Sequence, residues 1–405
     1  MKRFEFLRFL STAMVAAALV AVAHAGPPAP AGGTDDFLLV SDYDTNSVKR
    51  YDAATGAFVD NFVPKLSGGL NQPQGLVFGP HDHNLYVASG ELSGSAQRRA
   101  VLRYDGTTGA FIDEFAAGGP PPIDAHTQHL WAPHAVIFGP DGNLYVADGY
   151  VPATAKVIRY NGTTGDFVDD FVPANSGGLE GPLALVFGPS GRGPRDLDLY
   201  VSSARTNSVL RYDGTTGTPL GEFVLSGSGG LDFPVGLTFG PDRNLYVLSS
   251  GFTSGGSSAV LRFQGPAGET PGAFIDEFVT AGSGGLLTSF GLIFGPDGNG
   301  DGEQDLYLPS FKLAGSNKAD HRFSTIKRYD GVTGGFIDTF VTANSGGLDE
   351  PNYLTFTNTD PVTLNYLGVP TPHAAIQGVP EPTCLLLGCL GAAAAALYSR
   401  KRRSS

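Results

Sequence analysis

Cysteine is almost missing from this chain of 405 residues. Its two cysteines, Cys384 and Cys389, both fall in an apolar stretch near the C-terminus. The remainder therefore has no disulfide staple, no thiolate nucleophile and no cysteine-ligated zinc. A chain of several hundred residues buries a large core without such staples. Tryptophan occurs once, methionine twice, and charged residues make up only 16%. Positive charge is the scarcer sign, with 26 Lys and Arg against 39 Asp and Glu and a formal net charge of −13. Much of it sits at the ends: residues 1–25 hold three basic residues and one acid, and residues 381–405 hold four basic residues and one acid. The body between has 37 acidic against 19 basic residues, a net of −18. Such a surface repels phosphate backbones, so nucleic acid is not an expected partner. It suits a soluble secreted protein with divalent cations bound. Long apolar runs occur only at the two ends, and helical periodicity is absent between them.

The N-terminal run has the pattern of a secretory signal peptide over residues 1–25. Lys2, Arg3 and Arg8 precede the apolar stretch Leu10 to Val22, and Ala23-His24-Ala25 supplies a small-x-small cleavage site. Its alternative is a retained anchor, for which the run is short. Residues 26–34, rich in Pro and Gly, form a linker. At the other end, Val379-Pro380-Glu381-Pro382 leads into the apolar segment Thr383 to Tyr398 and then Arg400-Lys401-Arg402-Arg403. An apolar segment capped by positive charge is a stop-transfer pattern. After a second linker, residues 358–378, the segment 379–405 resembles the PEP-CTERM sorting domain of Gram-negative bacteria. Its Pro380, Glu381 and Pro382 triplet, short transmembrane helix and Arg-rich tip come in that order. The resemblance implies an exosortase-type processing enzyme as partner, transient anchoring in the inner membrane by this tail alone, and delivery to the cell surface or extracellular matrix. A permanent C-terminal anchor would give the same topology.

Between the ends the chain repeats itself. Arg50-Tyr51, Arg103-Tyr104, Arg159-Tyr160, Arg211-Tyr212, Arg262-Phe263 and Arg328-Tyr329 are each followed by a Gly-rich turn and a Phe-containing strand. The spacing of roughly 50–65 residues is that of propeller blades rather than helical solenoids. Each repeat divides into four strands. Strand A is the apolar run before Phe-Gly-Pro, and strand B is the Leu-Tyr-Val segment. Strand C carries the Arg-aromatic pair, and strand D is a Phe-Ile-Asp-Glu-Phe segment. Pro-Asp-Gly and Asp-Gly-Thr-Thr-Gly supply the A–B and C–D turns. Strand A precedes only five of the six B–C–D sets, and Asn352 to Phe356 provides the sixth. The expected fold is all-β, a six-bladed β-propeller over residues 35–357, with one blade closed by both termini. The pattern resembles NHL-type and streptogramin-lyase-like propellers.

Strand order assigns the loops to two faces. The A–B and C–D turns are monotonous, whereas the B–C and D–A loops vary and are the expected binding face. One D–A connection departs from the Ser-Gly-Gly-Leu pattern of the others, running from Gly118 to His134 with three of the eight histidines and the sole tryptophan. Asp124, His126 and His129 there are candidate metal ligands, Trp131 a platform for a sugar ring, and His134 a channel-facing acid–base group. An ordinary insertion with a packed Trp and solvated histidines is the alternative. On the turn face, Asp297, Asn299, Asp301, Glu303 and Asp305 follow the start of a calcium loop, with Leu308 where the bidentate Glu of an EF-hand belongs. Structural Ca²⁺ is the expected occupant, and a plain polar turn the alternative. No catalytic constellation stands out. The expected function is an exported binding or scaffold module for exopolysaccharide or surface proteins. Resemblance to streptogramin lyases and gluconolactonase-like hydrolases supplies the alternative, a metal-dependent enzyme.

Overall fold

Short runs of β-branched and aromatic residues, broken by Asp, Asn and Gly at positions needing local hydrogen bonds or positive φ, form strands throughout the body. The computed structural model describes residues 36–90, 99–117, 130–150, 153–193, 196–251, 256–314, 318–319 and 321–357. The segments expected to be signal peptide, linkers and sorting tail lie outside them, as do Asp124, His126, His129, Pro380, Glu381 and Pro382. Among the described residues no helix is long and apolar enough to cross a membrane.

The strands assemble into six four-stranded antiparallel sheets, a six-bladed β-propeller. In blade 2, strands A to D are Leu76–Phe78, Leu85–Ser89, Ala100–Tyr104 and Phe111–Ala117. Blade 1 takes its inner strand from Pro351–Phe356, which pairs with Phe37–Asp42 through Leu38↔Phe356 and Val40↔Leu354.

Each blade joins the next through a few aromatic residues. The strand B tyrosine stands edge-on between two phenylalanines. Tyr145 lies 5.0 Å from Phe171 of its own outer strand and 4.9 Å from Phe187 of the following inner strand. Tyr86, Tyr200, Tyr246 and Tyr307 repeat this, whereas blade 1 has Leu39 at that place. Over the outer Phe lies the strand C arginine. Arg159 sits 5.1 Å above Phe171 while its fork bonds Asp169 at 3.0 and 2.5 Å. Blade 4 lacks that aspartate, with Gly221 opposite Arg211, and Arg211 turns instead to Asp198 and the Ser190 carbonyl.

The outer Phe also marks where blades touch backbone to backbone. In every C–D turn a glycine with φ near +70° faces the carbonyl of the preceding blade's Phe. At Gly165 (φ 77°) a Cβ would lie 1.9 Å from Phe115 O. The same closeness recurs for Gly56 on Phe340, Gly109 on Phe62, Gly217 on Phe171, Gly272 on Phe223 and Gly334 on Phe278.

The strand C tyrosine ties down the preceding Ser-Gly-Gly turn. Tyr51, Tyr104, Tyr212 and Tyr329 donate to the carbonyls of Ser345, Ser67, Ser176 and Ser283. Tyr160 has no partner among the described residues, because blade 3 is preceded by the connection that departs from Ser-Gly-Gly. Tyr104→Phe should cost about 1 kcal/mol, the usual worth of one neutral hydrogen bond. Phe263 occupies the same place in blade 5, so the ring fits without its hydroxyl. Urea unfolding of the two proteins measures the difference, and no change would mean that the bond contributes nothing.

Candidate functional site at the channel mouth

The inner strands begin on the face where the D–A connections arrive, so their first residues surround the mouth of the central channel. Aligned by register, the six beginnings are Gln74-Gly75, His134-Ala135, Leu183-Ala184, Val235-Gly236, Phe290-Gly291 and Asn352-Tyr353. The second member is small in five blades because the neighbouring inner strand comes close. A Cβ on Gly75 would lie 2.8 Å from His134 O, and one on Gly291 2.8 Å from Asn352 O. In blade 1 that place holds Tyr353. Its hydroxyl donates to Leu183 O at 2.8 Å. Blades 1 and 4 are opposite in a ring of six, so this side chain spans the axis and floors the mouth.

The first members divide the rim into halves. Blades 1 to 3 have Asn352, Gln74 and His134 here and blades 4 to 6 have Leu183, Val235 and Phe290, all buried except the half-buried Phe290. Asn352 Nδ2 donates to Gln74 Oε1 at 3.2 Å. Asn352 Oδ1 and His134 Nε2 are buried without a partner among the described residues. Such atoms are costly to leave unmatched and favour a ligand that matches them. Burial pushes the His134 pKa down to about 4, so the imidazole is neutral at neutral pH.

Behind the rim, the last residue of strand B holds the incoming connection. It is serine in four blades: Ser89, Ser203, Ser249 and Ser310 take the backbone N–H groups of Asn71, Glu180, Asp232 and Leu287. Blades 1 and 3 use aspartate. Asp42 accepts from Asp349 N and Glu350 N beside Lys49, 3.5 Å away. Asp148 accepts from Trp131 N at 2.8 Å and Ala132 N at 2.7 Å. Burial pushes the Asp148 pKa up to about 6, against the pull of those N–H groups and of Lys156 and Arg99.

Of the residues expected in the departing connection, the structure describes Trp131 and His134. They face different surroundings. His134 is in the rim, whereas the Trp131 ring lies under Arg99, 5.0 Å from the guanidinium carbon. A second such pair joins blades 3 and 4, with Arg205 5.3 Å over Tyr150. The calcium-loop residues are turned to one another. Asp297 takes the N–H groups of Gly300 and Gly302, which hold its carboxyl below the usual range, and Asp305 takes that of Gly298. Asn299 Nδ2 donates to Asp301 and Asp330, and Glu303 N donates to Asp301. No group of three or more His, Cys, Asp or Glu side chains among the described residues is placed to hold a metal ion.

Sequence reasoning passed over Tyr353, Gln74, Asn352, Arg99, Tyr150 and Arg205. Tyr353 had a readable signal, being the one large residue at a place that is otherwise Gly or Ala.

No protein-family model and no curated protein matches this chain. Solved structures do. A chain of the nidogen/laminin complex is 16% identical with a TM-score of 0.51, over 80% of this chain and 99% of that one. A protein of unknown function from Bacteroides caccae is 14% identical with a TM-score of 0.48, over 80% and 100%. Catalytically inactive virginiamycin B lyase from Staphylococcus aureus, with quinupristin, is 15% identical with a TM-score of 0.44, over 78% and 88%. At these identities the first likeness speaks for the fold alone, and the other two carry no argument.

Proposed function

We propose that the chain is an exported, surface-sorted propeller that binds its ligand at the channel mouth, on the face opposite the monotonous turns. Export and sorting rest on the two ends of the sequence, with an exosortase-type enzyme as the processing partner. The observation that supports binding most is the rim itself. A polar half and an apolar half sit over the Tyr353 floor, with His134 Nε2 and Asn352 Oδ1 buried and unmatched among the described residues. A ligand with hydroxyl or amide hydrogens beside a carbon-rich face fits that division, and both surface polysaccharide and surface protein offer it.

A glycan and surface-protein array probed with the full chain tests this reading. Binding should fall about tenfold in Asn352→Ala or His134→Ala, the size expected for a lost buried hydrogen bond. Failure to retain any partner would remove the reading. A lyase or lactone hydrolase is the weaker alternative, because a histidine with a pKa near 4 is a poor base at neutral pH. Activity that depends on His134 would restore it.

Structural Ca²⁺ at Asp297, Asn299, Asp301, Glu303 and Asp305 is part of the same proposal, with the ion drawing together carboxylates now turned to backbone donors. A rise in Tm on adding Ca²⁺, lost in Asp301→Asn, supports it, and an unchanged Tm rules it out.

A further inference from the structure

Most arginines of the repeat are spoken for. Arg50, Arg103, Arg159, Arg262 and Arg328 give their forks to the outer-strand aspartates Asp60, Asp113, Asp169, Asp276 and Asp338. Arg99 and Arg205 are held differently, each over an aromatic ring on the variable face.

Arg99, 9% exposed, lies over Trp131, and its Nε is buried with no partner among the described residues. Arg205 lies over Tyr150, with the Glu180 carboxylate 3.9 Å away. The backbone segments that lead to the two aromatics are hydrogen-bonded to each other. Pro133 pairs with Asp148, and Gly149 N donates to Ala132 O at 3.2 Å, so Trp131 and Tyr150 leave the same end of one strand pair. Tyr150 continues to Phe233, 6.4 Å away, which lies in one cluster with the rim residues Leu183 and Val235. The face thus carries two guanidinium–aromatic pairs at one end of blade 3, and the second of them leads to the apolar half of the mouth.

A guanidinium resting on a ring has given up much of its freedom in advance, so it loses little on binding, and its planar paired donors complement a carboxylate. Two such pairs match a chain whose carboxylates recur and whose intervening units have carbon-rich faces. The body of this protein is strongly acidic, so general attraction of a polyanion is excluded and local recognition would have to outweigh repulsion.

We propose that Arg99, Trp131, Tyr150 and Arg205 form a subsite for a uronate-containing polysaccharide that runs into the mouth. The proposal rests on the binding reading above and specifies its ligand class.

The test is calorimetric titration of the full chain with polygalacturonate oligomers and with the same oligomers after reduction of their carboxyl groups. The acidic oligomer should bind about tenfold more tightly than the reduced one, the scale of a charge-assisted pair. Arg205→Ala should erase that preference, and Arg205→Lys should recover only part of it, because the planar fork is lost. Arg205 is exposed, and each variant's Tm shows whether it is folded. Equal affinity for the two oligomers, or a preference unchanged in Arg205→Ala, overturns the subsite. If both oligomers bind equally and His134→Ala weakens them, the mouth reading stands and the uronate subsite falls. If neither oligomer binds while another array partner does, the subsite alone falls. Binding of nothing at all removes both.

Discussion

His134→Gln and Asp148→Asn should tilt the pH dependence of stability in opposite directions. His134 has a pKa of about 4 in the folded chain against 6.5 when free. Between those values the unfolded chain carries the extra proton, so this residue's contribution is complete above pH 6.5 and is lost as the pH falls toward 4. Asp148 has a pKa of about 6 in place of 3.8. The folded chain then carries the extra proton, and its contribution is complete below pH 3.8 and is lost as the pH rises through 6. Each shift corresponds to roughly 3 kcal/mol. In the natural chain the two oppose each other across pH 4 to 6. His134→Gln leaves Asp148 unopposed, so relative to the parent this variant should gain stability on acidification. Glutamine already serves at the same place in blade 2 as Gln74. Asp148→Asn leaves His134 unopposed and should lose stability on acidification, by roughly 3 kcal/mol between pH 6.5 and 4. Its Oδ1 can still take the Trp131 and Ala132 N–H groups, both within 2.8 Å of the same oxygen. Urea midpoints at pH 4.5, 5.5 and 6.5 decide the matter. Curves parallel to the parent for both variants would contradict the burial assigned to these side chains.

Gly165→Ala is expected to cost roughly 2–4 kcal/mol. Part is the strain of an L-residue at φ 77°, about 1 kcal/mol. The larger part is steric: the new Cβ would lie 1.9 Å from Phe115 O, a backbone atom that cannot swing aside without moving blade 2. Gly178→Ala separates the two terms. Its φ is 84°, yet a Cβ there meets nothing within 4 Å, so only the strain remains. Equal losses in the two variants, measured by urea unfolding, would show that the blade contact contributes nothing.

The six blades and their four strands were legible because each local signal pointed the same way. Asp-Gly-Thr-Thr-Gly is a turn on its own: Asp105 Oδ1 takes Thr107 N and Thr108 N, and Gly109 supplies φ 71°. The Arg-aromatic pair likewise recurs at a fixed place in strand C. The mouth was less legible because it is made of exceptions. Ala135 looks as ordinary in sequence as Tyr353 looks out of place, and only the ring makes them equivalent. Arg99 and Arg205 read as loop residues, and their stacking on Trp131 and Tyr150 depends on how neighbouring blades bring their B–C and D–A loops together. Trp131 and His134 stand three residues apart, yet strand pairing at Pro133↔Asp148 assigns them to different surroundings. The calcium-like spacing of Asp297 to Asp305 shows the converse, since the same side chains also satisfy a turn's own N–H groups.

The glycine–carbonyl joint bears on how such a chain changes over generations. An open stack of repeats gains or loses a unit at its end and leaves the other interfaces as they were. Here every joint, including Gly56 on Phe340, leaves no room even for a methyl group on the glycine. Losing one repeat would oblige the remaining joints to hinge open together, and gaining one would oblige them to close further where no space remains. Duplication and deletion of whole repeats should therefore be filtered out, while the loops around the mouth remain free to vary.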